Sequence, residues 1–200
     1  DNTTIVVVGD INSEELVEKI GHYFGGIPKG LLPVRAVKVS ETEQKGERRF
    51  LYKREAQLPY VIYGYHAPNY QDKDHYALEL LSNILSGGKS SRLYQNIVYS
   101  KQIALAAGGG FAPVQTDPEL FYFYAQLKPD RTTEEAEAAL NEEIERIKRE
   151  PVSVRELQKA RKQIEASIIM GQDSVFYQAM LIGQLETTCA GARYLEIHID

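Results

Sequence analysis

Two pairs of strand-like runs, each joined by a short connection, constrain this chain more than any other feature. Glu47–Lys53 and Tyr60–His66 carry Leu51, Val61, Tyr63 and Tyr65, and Ala56-Gln57-Leu58-Pro59 lies between them. Such β-branched and aromatic runs suit a pleated, half-buried surface. Ala107–Val114 and Leu120–Leu127 flank a turn at Thr116-Asp117-Pro118. A parallel pair needs a crossover of about a dozen residues or more, and neither connection has room for one. The spacing predicts antiparallel hairpins.

The remaining segments read as one further strand and several helices. Thr3–Val8 is β-branched and closed by Gly9-Asp10, which predicts a buried strand. Asn12 and Glu15 have capping-box spacing, Leu16, Ile20, Tyr23 and Phe24 follow at helical intervals, and Gly25-Gly26 ends the run. Lys29–Lys45 is a connection. Asp74–Leu85 reads as a helix broken by Gly87-Gly88, and Ser90 or Ser91 is placed to cap another helix through about Ser100. Thr132 with Glu135, and Ser153 with Glu156, predict capping boxes opening two long helices. Their apolar stripes are Ala136, Leu140, Ile144, Ile147 and Leu157, Ala160, Ile164, Ile168. A last helix is expected over Ser174–Thr188. The order β-α-β-β-α-α-β-β-α-α predicts an α/β (α+β) fold: a two-layer sandwich, mostly antiparallel, with its helices on one face.

Bulk chemistry narrows the function. The length of 200 residues suits a single domain spanning 1–200, and the abrupt first and last segments read as a fragment of a longer chain. A net charge of −5 argues against a nucleic-acid grip, which needs basic surplus. No apolar run approaches the roughly 20 residues that span a bilayer. The single cysteine, Cys189, allows no intrachain disulfide and leaves the compartment undetermined.

Motifs for chemistry are sparse. Gly88-Lys89-Ser90 resembles the end of a phosphate loop, but position 83 is Asn83 where the loop needs glycine, and the stretch follows a helix. The histidines are His22, His66, His75 and His198, with no pair at metal-binding helical spacing. Glu18 with His22, and His75 with Glu79, read as exposed helix-face pairs. Glu142, Glu143 and Glu145 read as a solvated face. No catalytic residue and no metal ligand is assigned.

Five stretches together resemble a known family. They are TTIVVVGDINSEELVEKIGHYFGGIP, REAQLPYVIYGYHAP, LLSNILSGGKSSRLYQNIVYSKQIAL, DPELFYFYAQLKP and ELQKARKQIEAS. In that order, over nearly all of the chain, they are similar to the domain following the zinc domain in inverted-motif zinc peptidases: pitrilysin, insulin-degrading enzyme and mitochondrial processing peptidase. The resemblance implies a non-catalytic structural and substrate-chamber domain of a zinc-dependent metalloendopeptidase. Zinc is expected in a preceding domain that carries H-x-x-E-H, a motif missing from these 200 residues, so the chain alone is expected to be inactive. The implied partners are that zinc domain, a second half-molecule or partner subunit, and peptide substrate. The alternative is a scaffold domain of a degenerate, inactive member, like the core proteins of respiratory complexes.

The family's opposite half supplies an arginine and a tyrosine that hold the substrate backbone. Alignment on Gln-Ile-Ala-Leu puts Tyr99 and Leu105 at those positions, so that clamp is not carried over. Arg92 remains the one candidate for a substrate or interdomain contact. The commoner role of such an arginine is structural. Tyr94, two residues on, does not share its helix face.

Overall fold

Strand and helix signals are realised most fully after Ala56. The computed structural model describes residues 3–30, 43–55, 57–112, 114–188 and 191–193. Cys189, His198 and most of the Lys29–Lys45 connection lie outside the described residues. The chain divides into two units, residues 1–55 and 56–200.

In the first unit, α1 runs from Ser13 to Phe24. Asn12 caps it by accepting from the Glu14 N–H at 3.0 Å, so the expected reciprocal box with Glu15 is replaced by a simple N-cap. The Gly25 N–H closes the helix on the Gly21 carbonyl at 2.8 Å. Leu16 and Ile20 are half-buried, whereas Tyr23 and Phe24 are exposed. Two expected strands do not form among the described residues. Thr3–Val8 has no ladder and leaves Ile5 and Val7 exposed, and Glu47–Lys53 likewise leaves Phe50, Leu51 and Tyr52 exposed. β-branched composition favours extended backbone, but a strand exists only when a neighbour takes its N–H and C=O groups. The expected hairpin over 47–66 is therefore corrected.

In the second unit, β1 (Tyr60–Ala67), β2 (Ala104–Gly110) and β3 (Glu119–Leu127) form an antiparallel sheet in the order β1-β3-β2. The expected β2–β3 hairpin is present, starting three residues earlier than the sequence suggested. β1 pairs with β3 in unbroken register from Tyr60↔Gln126 to Ala67↔Glu119. β2 pairs from Ala104↔Leu127 to Gly110↔Tyr122, with a bulge at Leu105 that absorbs one residue.

Period-two alternation separates the two faces. Val61, Phe121, Phe123, Ala125 and Leu127 are buried on one face. Against it pack Leu85 from α2 (Asp74–Ser86), Leu93 and Ile97, and Ala136, Ala139, Leu140 and Ile144 from α3 (Thr133–Arg149). Ile97 lies in a π-helix over Tyr94–Ser100. α4 (Val154–Gly171) packs on α2, and α5 (Val175–Thr187) follows after a Ser174 cap. The layered arrangement is thus a mixed α/β fold with an antiparallel sheet and its core on one side.

The opposite face carries Tyr60, Ile62, Leu120, Tyr122 and Tyr124. Tyr124 covers Gly108 and Tyr122 covers Gly110. A Cβ at Gly108 would meet the Tyr124 ring at 3.0 Å, and one at Gly110 would meet the Tyr122 phenol oxygen at 2.6 Å. Glycine in β2 is what lets the two rings lie flat on the sheet.

Candidate functional site

The expected phosphate-loop look-alike is a helix junction. Gly88, at φ 84, turns the chain after α2, the Ser91 N–H reaches the Gly88 carbonyl at 3.1 Å, and the Gln95 N–H reaches the Ser91 carbonyl at 3.0 Å. The following helix widens, with the Lys101 N–H bonded five residues back to the Asn96 carbonyl at 2.9 Å. Neither serine supplies the expected cap. The Ser91 Oγ is buried without a hydrogen-bond partner, and the Ser90 Oγ accepts from the Lys159 Nζ on α4.

The turn delivers Arg92 to the start of α4. Its Nε donates to Glu156 Oε1 at 2.7 Å and its Nη2 donates to Glu156 Oε2 at 3.0 Å. The same carboxylate completes the capping box, accepting from the Ser153 N–H at 3.0 Å and the Ser153 hydroxyl at 2.7 Å. Two lone-pair-rich oxygens thus meet four donors, the condition under which an ion pair out of water is stable. The Arg92 hydrogen bonds, aided by those from Ser153, hold the Glu156 carboxyl down at about 2. The Arg92 side chain is only 10% exposed, and its Nη1 has no hydrogen-bond partner. The pairing joins the π-helix to α4 across 64 residues of sequence, a separation that no local pattern signals.

A second carboxylate sits next to it in the packing. Glu143 on α3 is 1% exposed, which corrects its reading as part of a solvated face. Its Oε1 accepts from the Asn96 Nδ2 at 2.6 Å, and its Oε2 lies 3.1 Å from the Arg146 Nη2 without hydrogen-bond alignment. Burial pushes the Glu143 carboxyl up, against the opposing charges of Arg146, Arg92 and Lys101. A signal was available, because Glu143 falls between Leu140 and Ile147 on the apolar stripe of α3. Its neighbour Glu142 faces outward and pairs with Lys101 at 2.5 Å. Both carboxylates tie helices together, Glu156 with both oxygens hydrogen-bonded and Glu143 through Oε1 alone. Tyr99 and Leu105 are exposed, and Tyr94 is half-buried.

The described histidines do not fit a zinc ion. His75 is buried rather than exposed, its Nδ1 2.5 Å from the Asp72 carbonyl oxygen and its ring 3.8 Å from that of Tyr76. His22 lies at the end of α1 with its ring against Tyr23, and His66 is on β1. Among the described residues no group of three or more His, Cys, Asp or Glu side chains could hold a metal ion. No described helix is long and apolar enough to cross a membrane.

A cleft of about 500 Å³ opens on the helix side of the sheet, between α2, α4, α5 and the end of β2. Asn83, Gln163 and Gln184 contribute carboxamides to its wall, and Ile164, Ile168 and Leu181 contribute apolar surface.

Comparison with known proteins places this architecture. Residues 1–164 match the family model described as the peptidase M16 inactive domain. A zinc protease of Helicobacter pylori, PqqE, is 29% identical over 177 residues, covering 86% of this chain and 39% of that protein. A zinc protease of Rickettsia bellii is 29% identical over 185 residues, covering 92% of this chain and 43% of that protein. The crystal structure of a protease from Helicobacter pylori superposes with a TM-score of 0.84 at 27% identity, over 96% of this chain and 46% of that one. The chain therefore spans less than half the length of these relatives. A chain of complex III from Candida albicans, at 14% identity and a TM-score of 0.74, is similar in fold alone. Since the family model covers residues 1–164, well over half of the chain, this protein belongs to the peptidase M16 inactive-domain family.

Proposed function

We propose that this chain is the non-catalytic domain of a zinc-dependent metalloendopeptidase, and that it acts as one domain of a longer polypeptide. In that polypeptide it packs beside a zinc domain and helps to enclose peptide substrate, with a second half-molecule or partner subunit closing the chamber. The observation that carries this reading is the family match over residues 1–164. The names of the relatives, zinc proteases of about twice this length, support placing zinc in a companion domain. The described residues offer no fit for the metal, so no step of hydrolysis is assigned to them. Arg92 serves mainly to hold the start of the π-helical segment against α4, since its guanidinium is engaged by Glu156 and largely buried.

The test compares the full-length polypeptide with this chain, each incubated with zinc and unstructured peptides. The full-length protein is expected to cleave in a chelator-sensitive manner and the chain alone is not. Chelator-sensitive cleavage by the chain, or none by a full-length protein whose H-x-x-E-H is intact, overturns the proposal. A degraded motif upstream with no cleavage supports the scaffold alternative instead.

A further inference from the structure

We infer that the turn over Tyr94–Ser100 is a two-state register device, held in π-helical register by Lys101 and rewinding to α-helical register when Lys101 is neutralised. The local sequence does not choose between the registers. Positions 92–101 contain neither proline nor glycine, the residues that most strongly disfavour an α-helix. A π-helix is rare and its five-residue hydrogen bonds are the exception, so contacts outside the segment must select it.

Polar ties to the neighbouring helices do so. Arg92 bonds Glu156 on α4, while Asn96 bonds Glu143 and Lys101 bonds Glu142, both on α3. In an α-helix Asn96 lies over Arg92, because residues four apart share a face. Lys101 stands five residues beyond Asn96 and would lie roughly 140° round from it. The wide turn returns Lys101 to the side of Asn96, with its N–H on the Asn96 carbonyl at 2.9 Å. The α-helical register carries a second cost. Leu93 and Ile97 are fully buried, and Lys101 follows Ile97 by four, so that register turns an ammonium toward the core. One acceptor is contested between the two states. The Ile97 carbonyl, which the Lys101 N–H takes in an α-helix, accepts instead from the Ile103 N–H at 3.0 Å. The chain just beyond has slack for the displaced residue, in Gln102 at φ 53 and in the bulge at Leu105.

This inference stands on the geometry of the turn and not on the peptidase reading, so its test uses this chain and no zinc domain. In perdeuterated protein, NMR couplings across hydrogen bonds identify the acceptor of the N–H at position 101. In the wild type that acceptor is expected to be the Asn96 carbonyl. Lys101→Leu removes the charge and extends the buried stripe of Leu93 and Ile97. It is expected to move the bond to the Ile97 carbonyl and to leave the Ile103 N–H unprotected against exchange. Lys101→Arg keeps the charge and the reach, and is expected to retain Asn96 as acceptor. Glu142→Gln acts at an exposed side chain outside the turn, so it tests the device even where Lys101→Leu does not fold. It is expected to speed amide exchange across 99–101 about threefold, the size of a surface ion pair. Asn96 kept as acceptor in folded Lys101→Leu, rewinding in Lys101→Arg, or unchanged exchange in Glu142→Gln would each overturn the inference.

Discussion

Arg92 shows what a single residue can do once the chain is folded. Its fork reaches Glu156 from the far side of a helix junction, and its stem is buried there. Truncation strips the carboxylate of its main partner and leaves a hole. Arg92→Ala is therefore expected to destabilise the chain by about 2–3 kcal/mol, below the usual cost of breaking a fully buried pair because Glu156 is partly exposed. Chemical denaturation checks this, and a loss under about 0.5 kcal/mol would show that the pairing is incidental. Gln102 makes the opposite case. It sits at φ 53 between the π-helix and β2, in the left-handed region that a side chain with a Cβ disfavours. Gln102→Gly is expected to raise stability by about 1 kcal/mol, read as a higher denaturant midpoint at unchanged slope.

Among the elements, α3 and α4 start alike and differ in what their caps support. Thr132 and Ser153 each accept from the N–H three residues on, and Glu135 and Glu156 each return the bond. Thr132→Ala removes a cap and little else, and is expected to cost about 1 kcal/mol. Ser153→Ala also withdraws a hydroxyl donor from the Glu156 carboxylate that grips Arg92. Its expected cost is larger, about 1.5–2 kcal/mol. Hydrogen exchange across 153–160 and across the π-helix would show whether the second helix loosens with the first, as the shared carboxylate requires. Both capping boxes were legible from Ser/Thr-x-x-Glu spacing. The missing serine cap at Ser90-Ser91 shows the limit of such spacing: Lys159 on another helix takes the Ser90 hydroxyl first.

For the whole molecule, acidification should report the Arg92–Glu156 tie. The Glu156 carboxyl lies at about 2 in the folded chain against an ordinary 4.5, so its contribution is present above about 4.5 and is lost as pH falls through about 2. Discounted for a side chain that is a third exposed, this amounts to about 1–2 kcal/mol. Glu143 acts with the opposite sign. Its raised folded value makes its contribution complete at low pH and diminished as pH rises. In urea titrations the stability gap between the wild type and Glu156→Gln is expected to narrow steadily over that acid window. A gap that stays constant would mean that Glu156 contributes by shape alone.

The sequence by itself determined the elements that depend on near neighbours. Helix limits, both capping boxes, the β2–β3 hairpin and the alternation that buries Phe121, Phe123 and Ala125 all follow from spacing within a few residues. The five family-like stretches were legible in the same way, as ordered local patterns. Only the tertiary structure decided the rest. Thr3–Val8 and Glu47–Lys53 have strand composition yet find no ladder among the described residues, and β1 takes β3 as its neighbour. Glu143 was assigned to solvent on charge, although its place on the stripe put it inside. The pairing of Arg92 with Glu156, and the grouping of Asn83, Gln163 and Gln184 around one cleft, join residues far apart in the chain. Propensity acts through the local backbone, whereas partners for buried charge and unpaired N–H groups are supplied by whatever the fold brings close.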